Sequence, residues 1–220
     1  MFKPFLVEGV GIILRLLNRL SPFEYLLRVF AISDKEAVAA LTEAWVLSNL
    51  LAACLSLAIV APSATAALRW VATVYAANRI IEIVVFQAYT QLYGGYRNKT
   101  RRLHYQLLSY SRSIFLAVIL YFEVLIWFAS LYRVNSTAFH SEGRPLSDPV
   151  KALYYSTVTM TTIGYGDVYP QLSRGFLMVM AQGVIAVFMT ILIIARIVTY
   201  LPRPRTADPF ERGPQDPDEL

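Results

Sequence analysis

Seven consecutive residues, Thr161 to Asp167, have types that could bind a dehydrated cation. They read TTIGYGD, with glycines at positions 164 and 166. Glycine adopts positive φ at little cost, so this segment can turn several consecutive carbonyls to one side. Closely spaced carbonyl oxygens can replace the water around a cation without the tight binding of a full carboxylate charge. The TTIGYGD segment therefore predicts a cation-coordinating loop.

A short helix must position this loop. Ser147 or Asp148 can cap the start of such a helix, and Pro149 suits its first turn. The helix is too short to cross a bilayer core of about 30 Å, so the chain is expected to enter the membrane and return. Irregular backbone at membrane depth is tolerated only when it is buried in protein or lines a water-filled path. The pattern favours a pore.

Composition and four apolar stretches indicate a membrane protein around this loop. Of 220 residues, 56% are apolar and 16% are charged, whereas a soluble domain carries about 25% charged residues. This balance argues against a water-soluble enzyme. We expect an all-α membrane fold with four transmembrane helices per subunit, in addition to the short re-entrant helix and its loop. The predicted spans are Ala44–Ala61, Ala66–Tyr89, Ser113–Tyr132 and Arg174–Tyr200.

The distribution of Lys and Arg predicts how the chain sits in the cell membrane. The stretch from Tyr93 to Arg112 carries basic residues and no acid, which places it, and with it both termini, in the cytoplasm. The predicted parts are N-terminal amphipathic interfacial helices (1–40), two front spans (41–92), a basic cytoplasmic linker (93–112), a pore module (113–201) and a short disordered cytoplasmic tail (202–220).

The TTIGYGD segment resembles the filter of the tetrameric potassium channel family, whose loops read TVGYG. The similarity continues through Tyr154-Tyr155, Thr159 and Tyr169-Pro170, and it covers roughly residues 113–200. It implies K⁺ as the permeant ion and a homotetramer, because a four-fold ring needs four filter strands and each chain carries one. The implied K⁺ ligands are the carbonyls of Thr162, Ile163, Gly164 and Tyr165, together with the Thr162 hydroxyl.

The resemblance also implies which residues support the filter. The Tyr165 ring would pack against neighbouring pore helices, and Asp167 would bond to the aromatic residue at Tyr154. Val158 stands where some bacterial members of the family carry an acid, so Asp167 lacks that partner here. The candidate filter is Thr161, Thr162, Ile163, Gly164, Tyr165, Gly166 and Asp167, and its candidate supports are Tyr154, Tyr155, Val158 and Thr159.

The last predicted span should line the cavity below the filter. Residues at i, i+3 and i+4 spacing share one helix face, and the candidates are Val187, Thr190, Ile191, Ile194 and Val198. Four copies of Ile194 and Val198 could form a constriction that closes by dewetting; packing against lipid or helices is the alternative. Gly183 is a candidate hinge or close-packing site, since the family's usual hinge glycine falls on Ala186.

The second predicted span does not carry a regular arginine array. A voltage sensor carries arginines at three-residue spacing, but the positions at this spacing after Arg69 are the uncharged Ala72, Tyr75 and Asn78. We therefore expect no strong voltage gating. Arg79 lies in mid-span and needs a partner there, for which Glu82 and Glu123 are candidates. Such an ion pair either docks the front helices on the pore or couples them to the gate.

These patterns predict a passive, K⁺-selective channel and not an enzyme. We expect further copies of the chain and membrane lipids, including anionic ones, as partners, and no organic cofactor, nucleic acid or soluble substrate. Two alternatives stay open: a modulatory or poorly conducting channel subunit, and the membrane subunit of a K⁺ transporter. A transporter would normally need several filter loops in one chain, and this chain has one.

Overall fold

The computed structural model describes residues 35–93 and 110–200, together with the isolated positions 9, 22, 23 and 25. Helices dominate these ranges, and two short strands accompany them. In chain order the elements are α1 (Lys35–Ile59), α2 (Ala66–Ala88), a π-helical turn (Tyr89–Tyr93), α3 (Tyr110–Val134), a 3₁₀ turn (Ser136–Ala138), β1 (Phe139–Ser141), α4 (Pro149–Met160), β2 (Val168–Pro170) and α5 (Ser173–Tyr200).

Within the described residues, four helices are long and apolar enough to cross a membrane, and they correspond to the four predicted spans. The apolar stretches cover residues 37–59, 66–91, 112–134 and 173–199. The first helix begins at Lys35 and not at Ala44, so the expected boundary at residue 40 falls inside α1. The extra turns carry Glu43, which accepts a hydrogen bond from Arg112 at the start of α3. The helix α1 therefore includes a charged residue, Glu43, that has a partner on α3, and it extends beyond the uncharged stretch.

The helix α3 lies at the centre of the packing and contacts all four other helices. Its residues Val124, Trp127 and Tyr132 are fully buried. A hydrogen bond of 2.6 Å between the hydroxyls of Ser56 and Ser130 joins α1 to α3. The front helices α1 and α2 therefore pack directly on the part of the chain that holds the TTIGYGD segment.

The π-helical turn at the end of α2 reaches the last helix through Arg196. This guanidinium donates from Nη2 to the Thr90 hydroxyl at 3.2 Å and from Nη1 to the Ser113 carbonyl at 2.9 Å. Arg196 thereby connects α5 both to the π-helical turn and to the first turn of α3.

The short helix α4 has the expected start. The Asp148 carboxylate accepts from the backbone N–H groups of Val150 and Lys151, and Pro149 occupies the first turn. With 12 residues α4 is about 18 Å long, which is well short of a bilayer core.

In the chain, β1 precedes α4 and β2 follows the TTIGYGD segment. The two strands pair antiparallel, with Phe139 opposite Pro170. The first turn of the helix α5 lies directly beside this pair at Gly175. A Cβ at that position would lie 3.0 Å from the Ala138 carbonyl oxygen and 3.1 Å from Pro170 Cβ. The absence of a side chain at residue 175 therefore lets α5 pack against the strands.

Three predicted parts lie wholly or largely outside the described residues. They are the N-terminal amphipathic helices, apart from positions 9, 22, 23 and 25 and the start of α1; the basic linker, apart from Tyr93 and the first turn of α3; and the tail from residue 202 onward.

Candidate functional site

The backbone of the TTIGYGD segment alternates between two conformations. Thr162, Gly164 and Gly166 have φ of 61°, 59° and 85°, and Ile163 and Tyr165 between them do not have positive φ. This alternation is what consecutive carbonyls need in order to face the same side. Sequence reasoning assigned it to the two glycines and missed Thr162, for which the left-handed conformation costs about 1–2 kcal/mol.

The end of α4 fixes the start of this segment through backbone hydrogen bonds. The Thr162 N–H donates to the Thr159 carbonyl at 3.1 Å, and the Ile163 N–H donates to the Val158 carbonyl at 3.0 Å. Val158 and Thr159 thus contact the loop through their main chains, while the Val158 side chain is buried. These bonds join the helix terminus to the first strained residue of the loop.

At the other end of the segment, Asp167 has two side-chain partners on α4. Lys151 Nζ lies 2.7 Å from Asp167 Oδ2, and the Tyr154 hydroxyl lies 3.3 Å from Asp167 Oδ1. The hydrogen bond from Lys151 holds the pKa of Asp167 below its ordinary value. Sequence reasoning missed Lys151, although its position one helical turn before Tyr154 was a usable signal.

Aromatic rings complete the surroundings of the loop on both sides of α4. The Tyr154 and Tyr165 rings are parallel within 3°, with centroids 6.4 Å apart. Tyr155 is buried on the inner side, where the centroid of its ring lies 4.8 Å from that of Tyr132 and 5.7 Å from that of Phe139. Tyr154 therefore packs beside the TTIGYGD segment, whereas Tyr155 packs against α3 and β1.

A buried hydrogen-bond network that sequence reasoning missed lies behind α4. The Tyr132 hydroxyl donates to Gln182 Oε1 at 2.6 Å, and Gln182 Nε2 donates to the Ser156 carbonyl and hydroxyl oxygens at 3.0 and 2.9 Å. Ser156 Oγ donates in turn to the Leu125 carbonyl at 2.6 Å. The usable signal was a glutamine inside an otherwise apolar span. The network ties α3, α4 and α5 together.

The residues expected to line a cavity share an exposed face of α5. The set is Val187, Thr190, Ile191, Ile194 and Val198. The opposite face, with Ala186, Met189 and Leu192, is buried against the rest of the chain. At Gly183 the helix continues without a break, and a Cβ there would meet no atom within 4 Å. Close packing among the described residues therefore does not explain this glycine.

The structure brings Arg79 together with both of its candidate partners. Its Nε and Nη2 donate to the two Glu123 oxygens at 2.7 and 3.1 Å, and its Nη1 donates to Glu82 Oε2 at 2.7 Å. Glu123 also accepts from Trp127 Nε1 at 3.3 Å, and the guanidinium lies 5.8 Å from the centre of the Trp45 ring. This buried cluster connects α2 to α3, with Trp45 of α1 beside it.

Comparison with known families identifies one part of the chain. Residues 109–203 match a family model described as "Ion channel". No curated protein matches the chain, and no solved structure matches it. The matched region contains α3, α4, the TTIGYGD segment and α5. Together with the four apolar helices, it indicates an ion channel with an all-α membrane fold.

Proposed function

We propose that this ion channel is selective for K⁺ and conducts it passively through a filter built by four copies of the chain. The observation that carries the proposal is the alternating backbone of Thr162, Gly164 and Gly166 directly after a helix end. Alternation lets the carbonyls of Thr162, Ile163, Gly164 and Tyr165 line one side of the strand. In a four-fold ring, these oxygens and the Thr162 hydroxyl would replace the hydration shell of K⁺.

The surface of a single chain supports assembly with further copies. Every residue from Thr161 to Gly166 is exposed, including the side chains of Ile163 and Tyr165 at 55% and 68%. The apolar face of α5 is exposed as well. Large contiguous apolar surfaces beside a polar backbone are typical of interaction sites. Closed rings of identical subunits would cover them and leave the filter carbonyls facing the central axis.

The exposed face of α5 supports a gate at the opposite end from the filter. Ile194 and Val198 are 55% and 62% exposed and lie one turn apart. In the proposed ring, four copies of each would narrow the pore with apolar groups, and a narrow apolar passage closes by excluding water.

The front helices form a collar around this pore module. The Arg79 cluster anchors α2 on α3 at a depth where an unpaired charge would cost about 2.5–3.5 kcal/mol. Because all three guanidinium nitrogens donate to carboxylates, we favour a docking role for Arg79 over a role in coupling the front helices to the gate. We propose a cell-membrane location with both termini in the cytoplasm, from the distribution of basic residues.

The deciding experiment is the reversal potential of the purified protein in a planar bilayer under opposed K⁺ and Na⁺ gradients. We expect a potential near the K⁺ equilibrium value. Gly164→Ala should abolish selectivity, because alanine resists the positive φ at residue 164, where a Cβ meets no atom within 4 Å. Gly183→Ala is the matched control, since residue 183 has equal space and no positive φ, and it should keep selectivity.

Other outcomes would favour other functions. Current without selectivity for K⁺ would contradict the filter assignment. Absence of current from a purified, correctly assembled tetramer would favour a modulatory subunit that conducts only with a partner chain.

A further inference from the structure

A cleft of about 280 Å³ lies between three helix ends, away from the TTIGYGD segment. Its polar lining comes from the first turns of α2, the turn after α3 and the start of α5. The residues concerned are Arg69, Trp70, Thr73, Asn135, Thr137 and Arg174. This volume is close to that of the smaller ligand sites in proteins, roughly 300 Å³.

The lining of the cleft is positively charged. It contains two arginines and no carboxylate. Arg174 donates from Nη2 to the Thr137 hydroxyl at 2.8 Å, and Arg69 donates from Nη1 to the Pro62 carbonyl at 3.1 Å. Within the described part of the chain, neither guanidinium forms an ion pair. Two guanidiniums beside hydroxyl and amide groups suit an anion with several acceptor oxygens.

One donor of a residue in this lining has no acceptor among the residues that the structure describes. Arg69 Nε is buried, and no atom of residues 35–93 or 110–200 accepts its hydrogen. A buried donor without an acceptor is unfavourable, so the hydrogen bonds within the described residues do not satisfy the whole Arg69 guanidinium.

The cleft also lies where a membrane surface would be. Arg69 is in the first turn of α2, Asn135 follows the last residue of α3, and Arg174 is the second residue of α5. All three are therefore at span ends on one side of the molecule. Trp70 is 70% exposed, as is typical of tryptophan at a membrane interface. Val71 and Val74 continue an exposed apolar surface along α2.

We propose that this cleft binds the phosphate of an anionic phospholipid head group. Arg69 and Arg174 would hold the phosphate, Trp70 would lie at the level of the head groups, and the acyl chains would follow the exposed face of α2. The apolar surface next to the cleft is the reason for assigning a lipid and not free phosphate. This inference does not depend on K⁺ selectivity.

The test measures lipid binding to the purified full-length protein by native mass spectrometry. Phosphatidylglycerol and phosphatidylcholine are titrated separately, and inorganic phosphate is titrated in a third arm. We expect a clear preference for phosphatidylglycerol, weakened at least tenfold in Arg69→Gln/Arg174→Gln. Arg144→Gln is the matched control, because Arg144 is a largely exposed arginine in the loop between β1 and α4, outside the cleft, and it should leave binding unchanged.

A second variant guards against misfolding, since Arg69 also bonds to the turn before α2. Thr137→Asp keeps both arginines and places a carboxylate beside Arg174 at an exposed position. It should weaken phosphatidylglycerol binding several-fold with an unchanged melting temperature. Equal lipid binding in the wild type and in both cleft variants would overturn the proposal. Displacement of the lipid by millimolar inorganic phosphate would also overturn it, and would assign the cleft to free phosphate.

Discussion

Lys151 on α4 and Asp167 at the end of the TTIGYGD segment form an ion pair with a separation of 2.7 Å. Lys151 Nζ also lies 4.9 Å from the centre of the Tyr154 ring, and Tyr154 bonds to the same carboxylate. The outer end of the proposed filter is thus held by a cation on its own helix. Val158, which stands where some bacterial potassium channels carry an acid, has no part in this contact.

Loss of this cation should destabilise the conducting filter. In Lys151→Gln, the Asp167 carboxylate loses its charged partner, and we expect sustained K⁺ current after opening to fall several-fold. Lys151→Arg keeps the charge and should retain most of the current. Steady-state recordings in bilayers measure both. Equal sustained current in the glutamine variant and the wild type would show that the ion pair does not support the filter.

The same pair predicts the response to external acid. The pKa of Asp167 is lowered, chiefly by the hydrogen bond from Lys151. The stabilisation is therefore complete above the ordinary aspartate pKa of about 3.9 and is lost as the pH falls through the lowered value. We expect sustained current to be constant from pH 7 to about 4 and to decline only in stronger acid. In Lys151→Gln the decline should begin at higher pH; an unchanged profile would contradict this assignment.

The network behind α4 should contribute measurably to stability. Tyr132→Phe leaves Gln182 Oε1 buried without its donor, and we expect a loss of about 1–3 kcal/mol in the free energy of unfolding. Thermal unfolding in detergent measures the change. Tyr169→Phe removes a hydroxyl from an exposed residue and should change stability by less than about 0.5 kcal/mol. Similar effects of the two changes would count against the network.

Removal of Arg79 should be more damaging than removal of its whole cluster. Arg79→Leu leaves two carboxylates buried without a cation, which we expect to cost about 3–5 kcal/mol. The triple change Arg79→Leu/Glu82→Leu/Glu123→Leu should recover most of this loss in thermal unfolding. Channel opening is recorded from the triple variant as well. If stability returns but the open probability shifts strongly, the cluster couples the front helices to the gate and does not only dock them.

The gate assignment predicts a leak. Ile194→Ser/Val198→Ser should raise K⁺ flux through the closed channel by at least tenfold, since hydroxyl groups favour water in a narrow passage. Flux from vesicles loaded with K⁺ measures the effect. Ile193→Ser changes a neighbouring, partly buried residue outside the exposed face of α5 and should leave the closed state tight. Unchanged closed-state flux in the double variant would place the constriction elsewhere.

Sequence could predict those features that depend on local composition. The four spans follow from long, predominantly apolar stretches, and the cap at Asp148 follows from residues adjacent in the chain. The start of α1 was misjudged because Glu43 is charged, and its pairing with Arg112 depends on how α1 packs on α3. The local sequence pattern predicts the apolar part of a helix. It does not predict how far the helix continues through charged residues whose partners lie on another helix.

Contacts between distant residues set the rest of the site. Lys151 and Asp167 are 16 positions apart, and Tyr132 and Gln182 are 50 apart. Such pairs become visible only once the helices are placed. The positive φ of Thr162 was equally hidden, since threonine disfavours that conformation and the residue adopts it beside the hydrogen bonds at the end of α4. The K⁺ ligands and the tetramer stay predictions.

The pairing of β1 with β2 has a consequence for the assembly of the channel. Together with the bond from Glu142 N–H to the Asp167 carbonyl at 2.9 Å, it closes residues 142–167 into a ring within one chain. The conformational entropy of ordering this loop is therefore lost while each chain folds, before any copy meets another. Association of such preorganised subunits loses less freedom and leaves more of the contact energy as net affinity. In the proposed tetramer, the strength of association would then depend mainly on the faces of α5 and on the exposed rings of Tyr165.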